Sequence, residues 1–246
     1  DKLKELYDRS NKTNNREKTG PQLEYDIIET NMETKTIPKI IIQTWKTKTI
    51  PEQCTDIVNK LINLHPNFEY KFFTDEDIEK FMYTEYPEYY NTFNNFKFTI
   101  QKIDFFRYIC IYHYGGFYFD IDMDINKSIE PLCKYECVFP KEYSFLSPIF
   151  DPFLINNGAS FLIGQYAFGS TPKHPFLKLC IENIINNRIL LKDIPGQGQY
   201  HEPYILYTTG PCMVTQSYID YTSNSNTPSS SITIIEPKAL DNCNFG

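Results

Sequence analysis

The chain has 246 residues and a formal net charge of −7, with 41% hydrophobic and 22% charged residues. That length accommodates one large domain with a substantial core. The acidic balance and the lack of a basic run exclude a nucleic-acid binder held by phosphate contacts, and no window holds the ~18 uninterrupted apolar residues of a membrane helix. The seven cysteines lack CxxC spacing, so neither a zinc module nor a thioredoxin motif is signalled, although Cys133 and Cys137 lie close enough in sequence to pair in an oxidising compartment. The 19 Tyr and 19 Phe are spread evenly, which points to core packing more than to a sugar-lined groove. The first residue is Asp1, so the sequence leaves open an anchor or signal in a parent chain.

Residues 1–36 are polar and read as an extension or stem, with a short helix expected over Lys2 to Asp8. Order should begin at Ile37 to Trp45, where β-branched residues after a proline predict a buried first strand. Pro51 suits the first turn of a helix carrying Ile57, Val58, Leu61, Ile62 and Leu64, ending near Pro66. Phe68 to Phe73 alternates as a second strand, and Thr74 with Asp77 three residues on predicts a capping pair at the head of the next helix. Strand, helix, strand, helix is an α/β opening.

A short helix and loop are expected over residues 87–98, then a longer helix from Thr99 to about Tyr114 with Ile100, Ile103, Phe106, Cys110, Ile111 and Tyr114 on its buried side. Asp104 and Arg107 fall three apart, the spacing of an ordinary surface ion pair, or of two residues facing one pocket. A short strand is expected at Val138-Phe139-Pro140, a long loop over Tyr143 to Asn157, a strand over Ala159 to Gly169 and an amphipathic helix from Pro175, with His174-Pro175 as the turn before it. Gly196 to His201 reads as a second loop, Thr209-Gly210-Pro211 opens a helix to Tyr221, 222–231 is a low-complexity loop, and Ile232 to Ile235 is a last strand.

The densest chemistry lies at Gly115-Gly116-Phe117-Tyr118-Phe119-Asp120-Ile121-Asp122-Met123-Asp124. If the strand continues, Asp120, Asp122 and Asp124 share one face, where like charges repel unless something positive sits among them. A divalent cation satisfies that pattern. An EF-hand loop fails, because it needs glycine and glutamate where this chain has Ile125 and Pro131. A phosphotransferase of the haloacid-dehalogenase type fits poorly, since the fifth position of its motif is Asp124 here. A nucleotide-sugar site, in which a DxD element holds Mn²⁺ or Mg²⁺ against a diphosphate, fits best.

Further segments join that element. Ile37 to Lys46, Lys102-Ile103-Asp104-Phe105-Phe106-Arg107-Tyr108, Tyr114 to Asp122, Gln165-Tyr166-Ala167-Phe168, Ser170 to Phe176 and Thr209-Gly210-Pro211 together resemble the successive motifs of the DxD-containing glycosyltransferases of family 32, the α-mannosyltransferases and their relatives. The resemblance implies a GT-A fold in a single catalytic domain over 37–246: a Rossmann-like mixed α/β sheet flanked by helices. It also implies retaining transfer of a hexose from a nucleotide sugar to a glycan, glycoprotein or glycolipid acceptor.

Carried over to this chain, it makes Asp104, Arg107, Asp120 and Asp122 the catalytic set. Asp122 becomes the metal ligand, and Asp120 reaches metal-bound water or the sugar. Gln43, Thr44, Trp45, Tyr108, Gly116 and Gln165 join Asp104, Arg107 and Asp120 around the donor, and Asp124 and His201 are further candidates for the metal. Gln165 tilts the donor towards GDP-mannose over UDP-galactose, UDP-glucose or UDP-GlcNAc. The chain departs from the family at Ile42, where a His is common, and in lacking the closing His and Ser-Trp element, which keeps a non-catalytic carbohydrate- or nucleotide-binding module as the rival. The secretory pathway is expected if the parent chain carries an anchor, and the cytoplasm otherwise. Asn11-Lys12-Thr13 and Asn126-Lys127-Ser128 match the glycosylation pattern, the second too near the site to welcome a glycan.

Overall fold

The computed structural model describes residues 35–142, 152–224 and 232–236, all within the compact unit Lys35–Gly246. The helix expected over Lys2 to Asp8, Asn11, the loop at 143–151, most of the low-complexity segment and Cys243 lie outside the described residues.

A seven-stranded sheet organises these residues, in the order β2-β1-β3-β6-β4-β5 with β7 beside β4. Strand β1 (Ile40–Thr44) pairs in parallel with β2 (Glu69–Phe73) on one side and β3 (Gly116–Phe119) on the other. Beyond β3, the strands β6 (Ala167–Ser170), β4 (Cys137–Glu142) and β5 (Leu162–Ile163) run antiparallel to their neighbours, and β7 (Thr233–Ile235) is parallel to β4. Helix α1 (Glu52–Leu64) makes the crossover from β1 to β2; the chain then returns through α2 (Asp75–Glu85), α3 (Pro87–Asn94) and α4 (Thr99–Tyr114) to the opposite side of β1. This reversal is a topological switch point, and the crevice beyond the carboxyl ends of such strands is where open α/β sheets bind ligands.

Both sheet faces are covered. Ile42, Tyr118, Phe139 and Phe168 pack under α2, α4, α6 (Pro175–Ile185) and α8 (Pro211–Ser223). Ile41, Phe117, Phe119 and Val138 face the other way, against Leu61 of α1 and the Ile125–Leu132 stretch. The Thr74–Asp77 capping box forms as expected, with Asp77 Oδ2 accepting from the Thr74 amide at 3.0 Å and its own amide donating to Thr74 Oγ1 at 3.2 Å. Gly116 holds φ at +95°, and a Cβ there would lie 2.5 Å from the Ile40 carbonyl oxygen, so only glycine lets β3 lie this close to β1.

Several expectations change. Helix α4 is buried on almost every side, from Asp104 through Ile111, whereas Ile100 is exposed. The strand expected over Ala159 to Gly169 is two short strands broken at Gly164, and the stretch Tyr143 to Asn157 contains a helix, α5 (Pro152–Asn156). The Gly196 to His201 loop leads into a helix of its own, α7 (His201–Thr208), which abuts α8. The six described cysteines are free, including Cys133 and Cys137. His174 caps α6 by accepting from the Phe176 amide at 3.2 Å.

Candidate functional site

Strand β3 ends at Phe119, and the next residues turn, with the Met123 amide donating to the Asp120 carbonyl at 3.1 Å. The alternation expected through Asp124 therefore fails, and the three carboxylates part. Asp120 points back to the sheet, Asp122 stands exposed at a cleft, and Asp124 leaves to pair with Lys60 of α1 at 2.6 Å. The Asp120 amide still donates to the Tyr166 carbonyl at 2.8 Å, as the last bond of the β3–β6 ladder, and its carbonyl accepts from Gln43 Nε2 at 3.2 Å, while pairing with β1 has already ended at Tyr118.

Behind the cleft, Asp104 and Arg107 are both buried, at 1% and 4% exposure, so they do not form a surface pair. The guanidinium binds Asp104 Oδ1 at 3.1 Å and Asp120 Oδ1 at 3.3 Å, and donates to the Gln165 carbonyl at 3.0 Å. Asp104 also accepts from Gln165 Nε2 at 3.0 Å and from the Thr209 hydroxyl at 2.8 Å, and the Tyr108 hydroxyl donates to Gln165 Oε1. Tyr118 closes the set: its ring lies 4.8 Å from the guanidinium carbon, and its hydroxyl donates to Asp120 at 3.1 Å and sits 3.1 Å from Thr44 Oγ1. A buried carboxylate needs such partners, since an unpaired charge away from water is costly.

Burial raises the Asp104 pKa, opposed by Arg107 and the Thr209 hydroxyl. Burial likewise raises that of Asp120, opposed by Arg107 and Tyr118 and reinforced by Asp122. Tyr118 is raised by burial too, which keeps its hydroxyl protonated and donating.

The cleft itself has a volume of about 360 Å³. Of the residues singled out from the sequence, Thr44, Trp45, Arg107, Asp120 and Asp122 line it. Asp104, Tyr108 and Gln165 form the layer behind it, Gln43 is buried between Tyr70 and the Asp120 backbone, and Gly116 lies within the sheet. Trp45 is half-buried and both lines the cleft and packs towards Val58 and Ile121. His201 packs at a tilt against Phe98 with ring centroids 4.4 Å apart, outside the cleft lining. Sequence reasoning assigned no role to Tyr118 or Thr209, although Tyr118 shares strand parity with Asp120 and Thr209 opens the Thr209-Gly210-Pro211 turn; at the cleft Asp75 carried no signal, Lys46 only closed the Ile37 to Lys46 motif, and Ile100 was expected in the core.

The donor set suits a hard divalent cation only in part. No group of three or more His, Cys, Asp or Glu side chains gathers as a metal cage among the described residues. Mg²⁺-like ions, however, bind through one or two carboxylates with waters and substrate phosphates, and Asp122 stands at the cleft without an ion pair among the described residues. Charge agrees: Asp75, Asp120 and Asp122 line the cleft against Lys46 and Arg107, and Arg107 already serves two carboxylates. A diphosphate entering there meets an acidic wall unless a cation bridges it.

A mixed sheet with a cleft at the β1/β3 switch point is the GT-A type of architecture, and comparison with known proteins agrees. Residues 51–139 match the family described as the glycosyltransferase sugar-binding region containing the DXD motif. The chain belongs to this family. It is 32% identical over 181 residues to inositol phosphoceramide mannosyltransferase 3 of Schizosaccharomyces pombe, covering 73% of this chain and 44% of that protein. It is 31% identical over 204 residues to mannosyl phosphorylinositol ceramide synthase CSH1 of Saccharomyces cerevisiae, covering 82% and 48%. The chain thus spans about half the length of these curated relatives. Among solved structures, the PaToxG glycosyltransferase shares the fold at 16% identity, with a TM-score of 0.52 over 85% of this chain and 74% of that one.

Proposed function

We propose that residues 37–246 form the catalytic unit of a metal-dependent retaining hexosyltransferase, best read as an α-mannosyltransferase using GDP-mannose, with 1–36 as a stem. The observation that carries this reading is the exposed Asp122 standing in the cleft beside Asp120, which Arg107, Asp104 and Gln165 hold from behind. Lipid-linked acceptors named for the relatives support a glycolipid acceptor here, such as an inositol phosphoceramide. An anchored parent chain would place this reaction in the secretory pathway; no helix among the described residues is long and apolar enough to cross a membrane.

Asp122, with Asp120 behind it, would hold Mn²⁺ or Mg²⁺, which when bound neutralises the departing nucleoside diphosphate. Arg107, fixed by two carboxylates and stacked on Tyr118, orients the Asp120 carboxylate towards the sugar. Trp45 flanks the base, and Asp104 and Gln165 keep the guanidinium from turning away. In the bond exchange the anomeric C–O bond to the diphosphate breaks, the acceptor hydroxyl oxygen bonds the anomeric carbon on the same face, and its proton passes to the departing β-phosphate oxygen.

The test is a donor panel of GDP-mannose, UDP-galactose, UDP-glucose and UDP-GlcNAc, assayed for nucleotide release with Mn²⁺ and with chelator. GDP release that needs the metal and disappears in Asp122→Ala is expected. Unchanged turnover in that variant would remove the site assignment, a preference for a UDP-sugar would change the donor, and donor binding without release would make the chain a binding module.

A further inference from the structure

Six large apolar side chains are exposed among the described residues: Ile62, Tyr83, Ile100, Leu190, Leu191 and Tyr200. Scattered singly, such residues are ordinary. Three of the six, Leu190, Leu191 and Tyr200, gather around the turn at 190–200. Leu191 and Tyr204 both flank Gly198, where an added Cβ would lie 3.0 and 3.2 Å from them, and the Tyr200 ring covers Gly196. The next link is Phe98, whose ring lies 4.4 Å from His201 and 6.1 Å from Tyr204. Phe98 immediately precedes Thr99 and Ile100, and both of these line the cleft. Apolar side chains thus recur, among exposed Gln199 and Glu202, from Leu190 and Leu191, which are 50% and 57% exposed, to Phe98 at the head of the helix whose first turn borders the cleft.

The outward leucines do not belong to a core. In the same turn Ile189 and Ile194 point inward and complete a small cluster with Leu154, Leu162 and Tyr207. A polar residue at 190 or 191 would leave that cluster intact, so folding alone does not ask for leucine there. The edges of this surface carry Lys97 and Lys192, both exposed, and the Lys97 ammonium lies 5.2 Å from the Phe98 ring centroid and 5.5 Å from that of Tyr204. Aliphatic tips, a tyrosine with a polar end and flanking lysines form the side-chain set of a protein surface seated at a membrane–water interface.

We propose that this surface docks on a lipid bilayer and brings the headgroup of a membrane-lipid acceptor to the mouth of the cleft. The inference rests on the glycolipid reading above for its acceptor, but its membrane contact is tested separately. Leu190, Leu191 and Tyr200 enter the interfacial region, Ile100 stands where the headgroup passes the rim, and the acceptor reaches the cleft without leaving the bilayer.

The experiment is flotation of the 246-residue chain with phosphatidylcholine vesicles carrying phosphatidylinositol, beside L190S/L191S and Tyr200→Ser. Thermal unfolding checks the fold of each, and metal-dependent donor hydrolysis without vesicles checks the cleft. Wild type should float, the double variant should partition at least about tenfold more weakly, and both should hydrolyse donor equally. Tyr200→Ser should weaken flotation less, and carries the test if the double variant unfolds. Equal flotation of all three proteins, or a wild-type chain that stays in the soluble fraction, would overturn the proposal. So would a dimer that the double variant converts to monomer, because these side chains would then form a self-association surface. Loss of flotation in the variant, with no donor hydrolysis in either protein, would support the membrane contact while removing the transferase reading.

Discussion

Arg107→Met tests whether the layer behind the cleft is held by one buried cation. Methionine keeps much of the side chain's length over Tyr118 but removes the partner that Asp104 and Asp120 share. Asp120 is 33% exposed at its side chain and can turn to water, whereas Asp104, at 2%, cannot. Breaking one half of a buried pair costs about 3–5 kcal/mol, and the lower end is expected because Thr209 and Gln165 still donate to Asp104. For a chain of this size that is a fall in Tm of roughly 6–20 °C. Thermal and urea unfolding would measure it, with Asp104→Asn/Arg107→Met as the second arm, which should recover much of the loss because the one charge left without Arg107, on Asp120, can reach water. The pH dependence has a definite sign. Burial holds the Asp104 pKa above its ordinary carboxylate value, so the folded state keeps the proton to higher pH than the unfolded chain, and the penalty grows as pH rises through that window. The gap between Arg107→Met and wild type should therefore narrow on acidification. A variant within about 1 kcal/mol of wild type at neutral pH, or a double variant no more stable than the single one, would refute the reasoning.

Two other outcomes follow from residues around the Asp120 turn. His65 is buried, with Nδ1–H donating to the Leu61 carbonyl at 2.7 Å and Nε2 accepting from the Ile129 amide at 2.9 Å, and burial lowers its pKa against the opposing effects of that Leu61 bond and Glu130. The neutral ring thus stabilises the fold above the unfolded value of 6.5, and this contribution is lost as pH falls through the lowered pKa. Urea unfolding from pH 7.5 to 5 should show a shallower pH slope in His65→Gln, and an identical slope would reject the role. Asp124→Asn should change stability by less than about 1 kcal/mol, because its pair with Lys60 is partly exposed, and should leave metal activation of donor hydrolysis intact. Loss of metal activation as complete as in Asp122→Ala would return Asp124 to the ligand set.

Much of the framework was legible in the sequence because its signals are local. The Thr74–Asp77 box, the β-branched run at Ile40–Ile42 and the proline at the head of α6 act within a few residues, and the structure matches them. The site was legible as motifs but not as geometry. Spacing alone leaves Asp104 and Arg107 as either a surface pair or two residues facing one pocket; the side chains that accompany their burial, Gln165 and Thr209, lie 61 and 105 residues away from Asp104. Periodicity extended β3 to Asp124, while bonds from Gln43 and Tyr166, both distant in sequence, accompany the turn at Asp120. The short helix α7 lacks a side-chain cap and follows glycines in left-handed conformations, so its start carries no familiar signal.

The dispersal of Asp104's partners also sets an order of events during synthesis. Arg107 emerges almost together with Asp104, but the Thr209 hydroxyl is made about a hundred residues later, roughly 5–20 s at ordinary ribosome speeds. Throughout that interval α4 carries a charge it cannot bury with its full set of partners, and for the first half of it β3 has no β6 beside it. A nascent chain stopped before Thr209 therefore holds the DxD element without its finished backing. Truncated or stalled products should expose Asp104 to solvent and chaperones, which makes completion of the donor cleft a late readout of whether the whole domain has been made.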